Sequence, residues 1–216
     1  MNGLVKNAAL GFSISTAISG GVTKLALSGK EAPKSISKWI WDHYPEKRLL
    51  FIGWGGRHDG STEAWQAAWK KYLSAYSGEG RNPFNVNLTN ETNAPQAFMS
   101  ECKKRFSVKV SSIEDERLVH VLEYCTRSTS VEDLIMTTSK SLVSSSDSSA
   151  WSELWNIYKK DNENKGSRKD EWGLLPPQGS ADNSDALKNK CDSEKKVKTG
   201  SKTNRSFINV LKYCSK

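Results

Sequence analysis

Two cysteine pairs of equal spacing constrain this chain more than any other feature. Cys102 precedes Cys125 by 23 positions, and Cys191 precedes Cys214 by the same 23. One interval occurring twice marks an internal repeat, and the surrounding residues follow it. AWQAAWKKY at 64–72 aligns with AWSELWNIY at 150–158, pairing Trp65 with Trp151, Trp69 with Trp155 and Tyr72 with Tyr158. VLEYC, ending at Cys125, matches VLKYC, ending at Cys214. An alanine stands five residues before the first cysteine in both places, Ala97 and Ala186, and SISKWI from Ser35 parallels SVEDLI from Ser130. Four matches in one order point to duplication, with unit 1 at 35–127 and unit 2 at 130–216.

Each unit reads as helical. Trp65, Ala68, Trp69, Tyr72, Leu73 and Tyr76 recur at three- and four-residue steps and make one wide apolar face. Ser61, Thr62 and Glu63 offer capping at its start, and Gly78 and Gly80 stop it. Trp151, Leu154, Trp155 and Tyr158 repeat that face after the Ser/Asp run at 144–149. Leu118, Val121, Leu122 and Cys125 follow the i, i+3, i+4, i+7 pattern, as do Phe207, Val210, Leu211 and Cys214. This puts the second cysteine of each pair on a buried helix face. Phe98, Cys102 and Phe106 share another. The Trp/Tyr stripes read as core rather than as a ligand box, because Trp at these spacings mostly buries area. The stretches at 79–95 and 161–183 read as surface loops. LLFIG at 49–53 is either a short strand or a helix end, with KSLV near Leu142 as its weaker counterpart. The expected fold class is mainly α: two tandem small helical units, each with one disulfide, after an N-terminal apolar segment.

Three states are open to the cysteines. They can be oxidised pairs, buried thiols or zinc ligands. The spacing argues against zinc, since no CxxC or Cys/His cluster is present. A duplicated unit should carry its own staple, which favours Cys102–Cys125 and Cys191–Cys214. Each bridge would add roughly 3 kcal/mol by constraining the unfolded chain, and small units often need such a staple. Tyr124 and Tyr213 are expected to cover the bridges.

The first 34 residues differ from the rest. Lys6 precedes an uncharged stretch at 7–23, and Lys24 closes it. That order has the layout of a signal peptide or a short uncleaved anchor. As a helix the stretch would reach roughly 25 Å, short of a hydrocarbon core of about 30 Å. Lys24, Lys30 and Lys34 set more positive charge after the run than before it, against the usual export orientation. A core helix of a cytosolic protein is the competing reading. The cysteines tip the balance to export, because disulfides persist in oxidising compartments.

Composition excludes little else. The chain has 216 residues, a formal charge of +8 and a pI of about 9.2. Such charge favours anionic surfaces in general and selects none of them. The segment 187–216 holds nine Lys/Arg against two acids; it reads first as a solvated helical face and second as an anion-binding surface.

Catalytic chemistry is not indicated. His43, His58 and His120 sit apart, and none recurs in both units. His58-Asp59 in GWGGRHDG is the one tempting dyad, but a His-Asp neighbour pair on a glycine-rich turn lacks a third partner. The segment also lacks the GK[ST] ending of a phosphate loop. Glu63, Glu114, Asp115 and Glu116 read as capping and solvated charges. No catalytic, cofactor-binding or metal residues are expected, and the protein is read as non-enzymatic. The sequons at Asn87, Asn90 and Asn204 matter only in a host that glycosylates exported proteins.

The apolar small-residue N-terminus, the W-x3-W-x2-Y helix and the A-x4-C…L-x2-V/VL-x-[YW]-C ending resemble the large paralogous families of small uncharacterised proteins in haemotropic mycoplasmas. Trp65, Trp69, Tyr72, Ala97, Cys102, Leu118 and Cys125 carry the likeness, with their second-unit equivalents. Members typically hold one such unit; this chain holds two, and its Trp39-Ile40-Trp41 and GWGG segments depart from the pattern. The resemblance implies a secreted or cell-surface protein with roles in host interaction or antigenic variation. Host surface molecules would then be the partners, and the N-terminal segment would touch a membrane. It implies no known enzymatic activity; no cofactor and no specific nucleic acid are expected. A basic module for anionic host molecules, whether glycan, lipid or nucleic acid, is the alternative.

Overall fold

The computed structural model describes residues 32–51, 62–165, 169–175 and 183–216. The signal or anchor expectation at 1–31, the GWGG segment and the His58-Asp59 dyad lie outside them. Both helical units belong to one body, Ala32–Lys216.

Unit 1 begins with β1 (Lys34–Ser35) and α1 (Ile36–His43), which buries Ile36, Trp39 and Ile40. Ser35 caps α1 by accepting the Lys38 N–H at 3.2 Å. β2 (Lys47–Leu49) follows, then α2 (Glu63–Tyr76), α3 (Gln96–Phe106), β3 (Lys109–Val110) and α4 (Glu116–Tyr124). α2 buries Trp65, Ala68, Trp69 and Tyr72, the face its spacing specifies. β4 (Thr126–Ser128) then pairs antiparallel with β2, with Arg48 opposite Arg127. β1 pairs with β3. Unit 2 consists of α5 (Val131–Ile135), α6 (Ser148–Asn162), α7 (Ser184–Glu194) and α8 (Arg205–Tyr213). Ser130 and Asp133 form a reciprocal capping box at the start of α5. The chain is therefore mainly helical, and each unit has its own apolar core, one made of buried residues between Ile36 and Cys125 and one of residues between Val131 and Cys214.

The two units share specific backbone bonds. The Ile36 N–H donates to the Val108 carbonyl at 2.8 Å, and the Val131 N–H to the Val197 carbonyl at 2.9 Å. The Leu50 N–H reaches the Cys125 carbonyl at 2.9 Å, and the Val143 N–H the Cys214 carbonyl at 3.0 Å. Trp65 Nε1 donates to the Phe51 carbonyl and Trp151 Nε1 to the Ser144 carbonyl. Of the ambiguous segment at 49–53, the described residues 49–51 enter a strand at Leu49 alone; Leu142 makes a lone bridge to Ser215.

The recurring alanines are not part of the cores, since Ala97 is exposed and Ala186 half-buried; the next residues, Phe98 and Leu187, are the buried pair. Two sequence readings need correction. Cys125 and Cys214 are fully buried but sit at the C-caps of α4 and α8, one step past the last helical residue. The stretches read as surface loops also fold inward: Phe84, Val86 and Ala94 are buried in unit 1, and Asp170 in unit 2. A small unit lacks enough helix surface to close its own core, so the loop supplies the missing apolar wall.

Candidate functional site: the disulfide-tied tyrosine hubs

Cys102–Cys125 and Cys191–Cys214 are both bonded, and the chain has no free cysteine. The Cα atoms stand 5.5 and 5.8 Å apart, within the usual range for a bridge. Each bond ties α3 to the end of α4, or α7 to the end of α8. The rings of Tyr124 and Tyr213, expected to cover the bridges, point into aromatic clusters.

Each cluster centres on the last tyrosine of the W-x3-W-x2-Y stripe. Tyr72 packs against Trp69, Phe84, Phe98 and Tyr124, with centroids 4.9 to 6.0 Å away. Tyr158 packs against Trp155, Trp172 and Tyr213 at 4.9 to 5.8 Å. Each hydroxyl anchors the following loop. Tyr72 donates to Asn82 Oδ1 at 2.7 Å and accepts the Phe84 N–H at 2.9 Å. Tyr158 donates to Asp170 Oδ2 and accepts the Trp172 N–H at 2.8 Å. Burial pushes the Tyr72 hydroxyl up to about 12, and burial with the Asp170 hydrogen bond pushes Tyr158 higher.

Asn82 and Asp170 hold the loop from the other side. Asn82 accepts from the Val86 N–H and donates to its carbonyl. Asp170 accepts the Leu174 and Leu175 N–H groups at 2.7 and 3.1 Å. Burial works to raise the Asp170 carboxyl, but the bonds from Tyr158, Leu174 and Leu175 hold it below its ordinary value. The turn then needs a left-handed residue, supplied by Asn85 (φ 50°) in unit 1 and Gly173 (φ 68°) in unit 2. This hidden match, NPFNV against DEWGL, is visible in the sequence at 82–86 and 170–174. Insertions of different length after the tyrosine hid it from the spacing argument.

The remaining sequence candidates do not converge on a reaction. His120 lies against Phe84 and Tyr124, and burial lowers its basicity. His43 stacks on Trp39. Asp115 caps α4 and pairs with Arg117, while Glu63 occupies the first turn of α2. Among the described residues, no three His, Cys, Asp or Glu side chains group as metal ligands, and no helix is long and apolar enough to cross a membrane. The surface depressions are open. One of about 550 Å³ is lined by Tyr76, Arg81, Glu116 and His120. One of about 400 Å³ in unit 2 is lined by Ile135, Met136, Lys140 and Leu142. Of the sequons, Asn87 and Asn90 are exposed, whereas Asn204 caps α8 through the Ser206 N–H.

Where the units meet, three segments stack. Thr129 donates its N–H to the Glu46 carbonyl and its hydroxyl to the Pro45 carbonyl, at 2.9 and 2.7 Å. The Thr199 N–H donates to the Thr129 carbonyl at 2.9 Å, and Ser130 bridges Lys198. Gly200 lies so close to Glu46 that a Cβ there would sit 2.5 Å from the Glu46 nitrogen. Arg127, in the linking strand, forms a two-pronged pair with Asp133 at 2.6 and 2.7 Å.

No family model, curated protein or solved structure matches this chain.

Proposed function

We propose that this chain is an exported or surface-associated, non-enzymatic protein made of a duplicated disulfide-tied helical unit. The carrying observation is that all four cysteines are consumed in two bridges buried inside the cores. Paired cysteines on this scale belong to oxidising compartments. The shared backbone bonds of the two units, including the left-handed turn at Asn85 and Gly173, support duplication independently of the helical spacing.

The resemblance to the paralogous families of haemotropic mycoplasmas supports the same reading and adds host interaction or antigenic variation as the role. In that role the buried hubs keep the fold while exposed loop positions are free to change. Asn87 and Asn90 are examples of such positions.

Non-reducing peptide mapping of the native protein, combined with protease treatment of intact cells, tests the proposal. The expected result is two intra-unit bridges, a processed or membrane-held N-terminus and digestion from outside. Free thiols together with protection inside the cell would overturn it.

A further inference from the structure

Within the basic segment 187–216, residues 195–202 form the turn between α7 and α8. It carries Lys195, Lys196, Lys198 and Lys202 in KKVKTGSK, and it packs on the Pro45–Glu46 turn of unit 1 through Gly200. β2, with Lys47 and Arg48, continues directly from that turn; Lys47 pairs with Ser128, and Lys198 bridges Ser130 two residues further on. Lys195 is paired with Asp192, and Arg127 with Asp133. Lys47, Lys196, Lys198 and Lys202 enter no ion pair among the described residues, and the last three are exposed. Arg48 lies 5.1 Å over the ring of Trp41, which is itself 59% exposed. Two nearby acids, Glu46 in the unit 1 turn and Glu132 in α5, whose N–H reaches the Lys195 carbonyl, enter no ion pair among the described residues.

From this arrangement we propose that the seam between the two units binds a linear sulfated polysaccharide. Flexible ammonium groups spaced along a turn suit a chain of sulfates, and short Lys-rich runs are a recognised polyanion footprint. The exposed Trp41 indole, against Arg48, adds an apolar surface for a sugar ring. Neither unit holds the site alone. In unit 1 the segment equivalent to Lys196–Lys198 reads Ser107, Val108 and Lys109, with one lysine instead of two. Affinity for a polyanion follows from the seam itself. The choice of polysaccharide rests on the export proposal, since sulfated glycans are the polyanions met outside cells.

The test uses the full oxidised chain and immobilised heparin, titrated from about 50 to about 300 mM salt. One variant carries Lys47→Gln, Lys196→Gln, Lys198→Gln and Lys202→Gln. A control carries Lys70→Gln, Lys103→Gln, Lys160→Gln and Lys165→Gln, the same loss of charge away from the seam. The seam variant should lose about tenfold or more in affinity, and its salt slope should fall by about one per lysine removed. The control should lose less than about twofold. Equal losses, or no heparin binding by the native chain at the lowest salt, overturn the seam. If the fourfold variant melts early, Lys196→Gln with Lys202→Gln is read in its place. Equal affinity for desulfated heparin, duplex DNA or phosphatidylserine vesicles at matched salt overturns the polysaccharide assignment. An intracellular, thiol-reduced protein would sink the export proposal while leaving a seam-dependent heparin result standing, so the two failures are distinguishable.

Discussion

The two tyrosine hubs are the same device built with different charges. In unit 1 Tyr72 donates to a neutral amide, Asn82; in unit 2 Tyr158 donates to a carboxylate, Asp170. The helix between hub and bridge shows a sharper reversal. Glu101 pairs with Arg105 in α3, while Lys190 pairs with Glu194 at the matching positions of α7. Trp69 donates its Nε1 to the Glu91 carbonyl, yet Trp155 Nε1 has no partner among the described residues. What stays fixed is the Trp/Trp/Tyr stripe, the left-handed turn and the backbone bonds. What changes is the sign and satisfaction of polar groups. A helix-surface pair contributes only a few tenths of a kcal/mol in either polarity, whereas a core aromatic or a buried backbone bond is costly to lose. Charges at such pairs are therefore free to exchange sign.

That comparison can be broken most forcefully at the sulfur. Cys102→Ser with Cys125→Ser should cost about 3 kcal/mol, as should Cys191→Ser with Cys214→Ser. Hydrogen exchange should place the loss in the unit that lost its bridge. Equal loss of protection in both units would show one cooperative block instead of two. Next comes the seam: Gly200→Ala should cost about 1–3 kcal/mol, because the new methyl meets the backbone of Pro45 and Glu46 rather than a yielding side chain. An unchanged denaturation midpoint would mean the units do not depend on that approach.

The hubs themselves offer a finer contrast. Tyr158→Phe should cost about 2 kcal/mol and Tyr72→Phe about 1, since hydrogen bonds to charged groups are the stronger. Urea unfolding of the two variants would reveal equal costs if the charge difference were immaterial. The smallest effect is acid dependence. The Asp170 carboxyl titrates lower in the folded chain than its ordinary 3.8. Its stabilisation is therefore complete above that value and is lost as pH falls through the lower, folded one. Asp170→Asn copies the unit 1 pattern and should flatten the acid limb of stability for unit 2, while Asn82 gives unit 1 no such step. An unaltered acid midpoint in Asp170→Asn would refute this role.

Much of this was legible before any coordinates. The apolar stripe from Trp65 to Tyr72 and its twin from Trp151 to Tyr158 specified helix, face and core, because a 3.6-residue period leaves one solution for that many aromatics. The cysteine interval specified the bridges. The inward loops were not legible. Phe84 and Trp172 follow their tyrosines at 12 and 14 residues, so no common spacing exposed them, and their Asn and Pro content imitated an ordinary surface loop. Nor was Gly200 readable, since a close approach leaves no pattern along the chain.

Local period and paired spacing are properties of the chain, and they alone determined the helices and the staples. The meeting of 45–48 with 195–202 was decided only in three dimensions. Those segments are about 150 residues apart, and nothing in either one encodes the other. The two turns meet because the backbone bonds at Thr129 and Thr199, with the absent side chain at Gly200, bring one down onto the other.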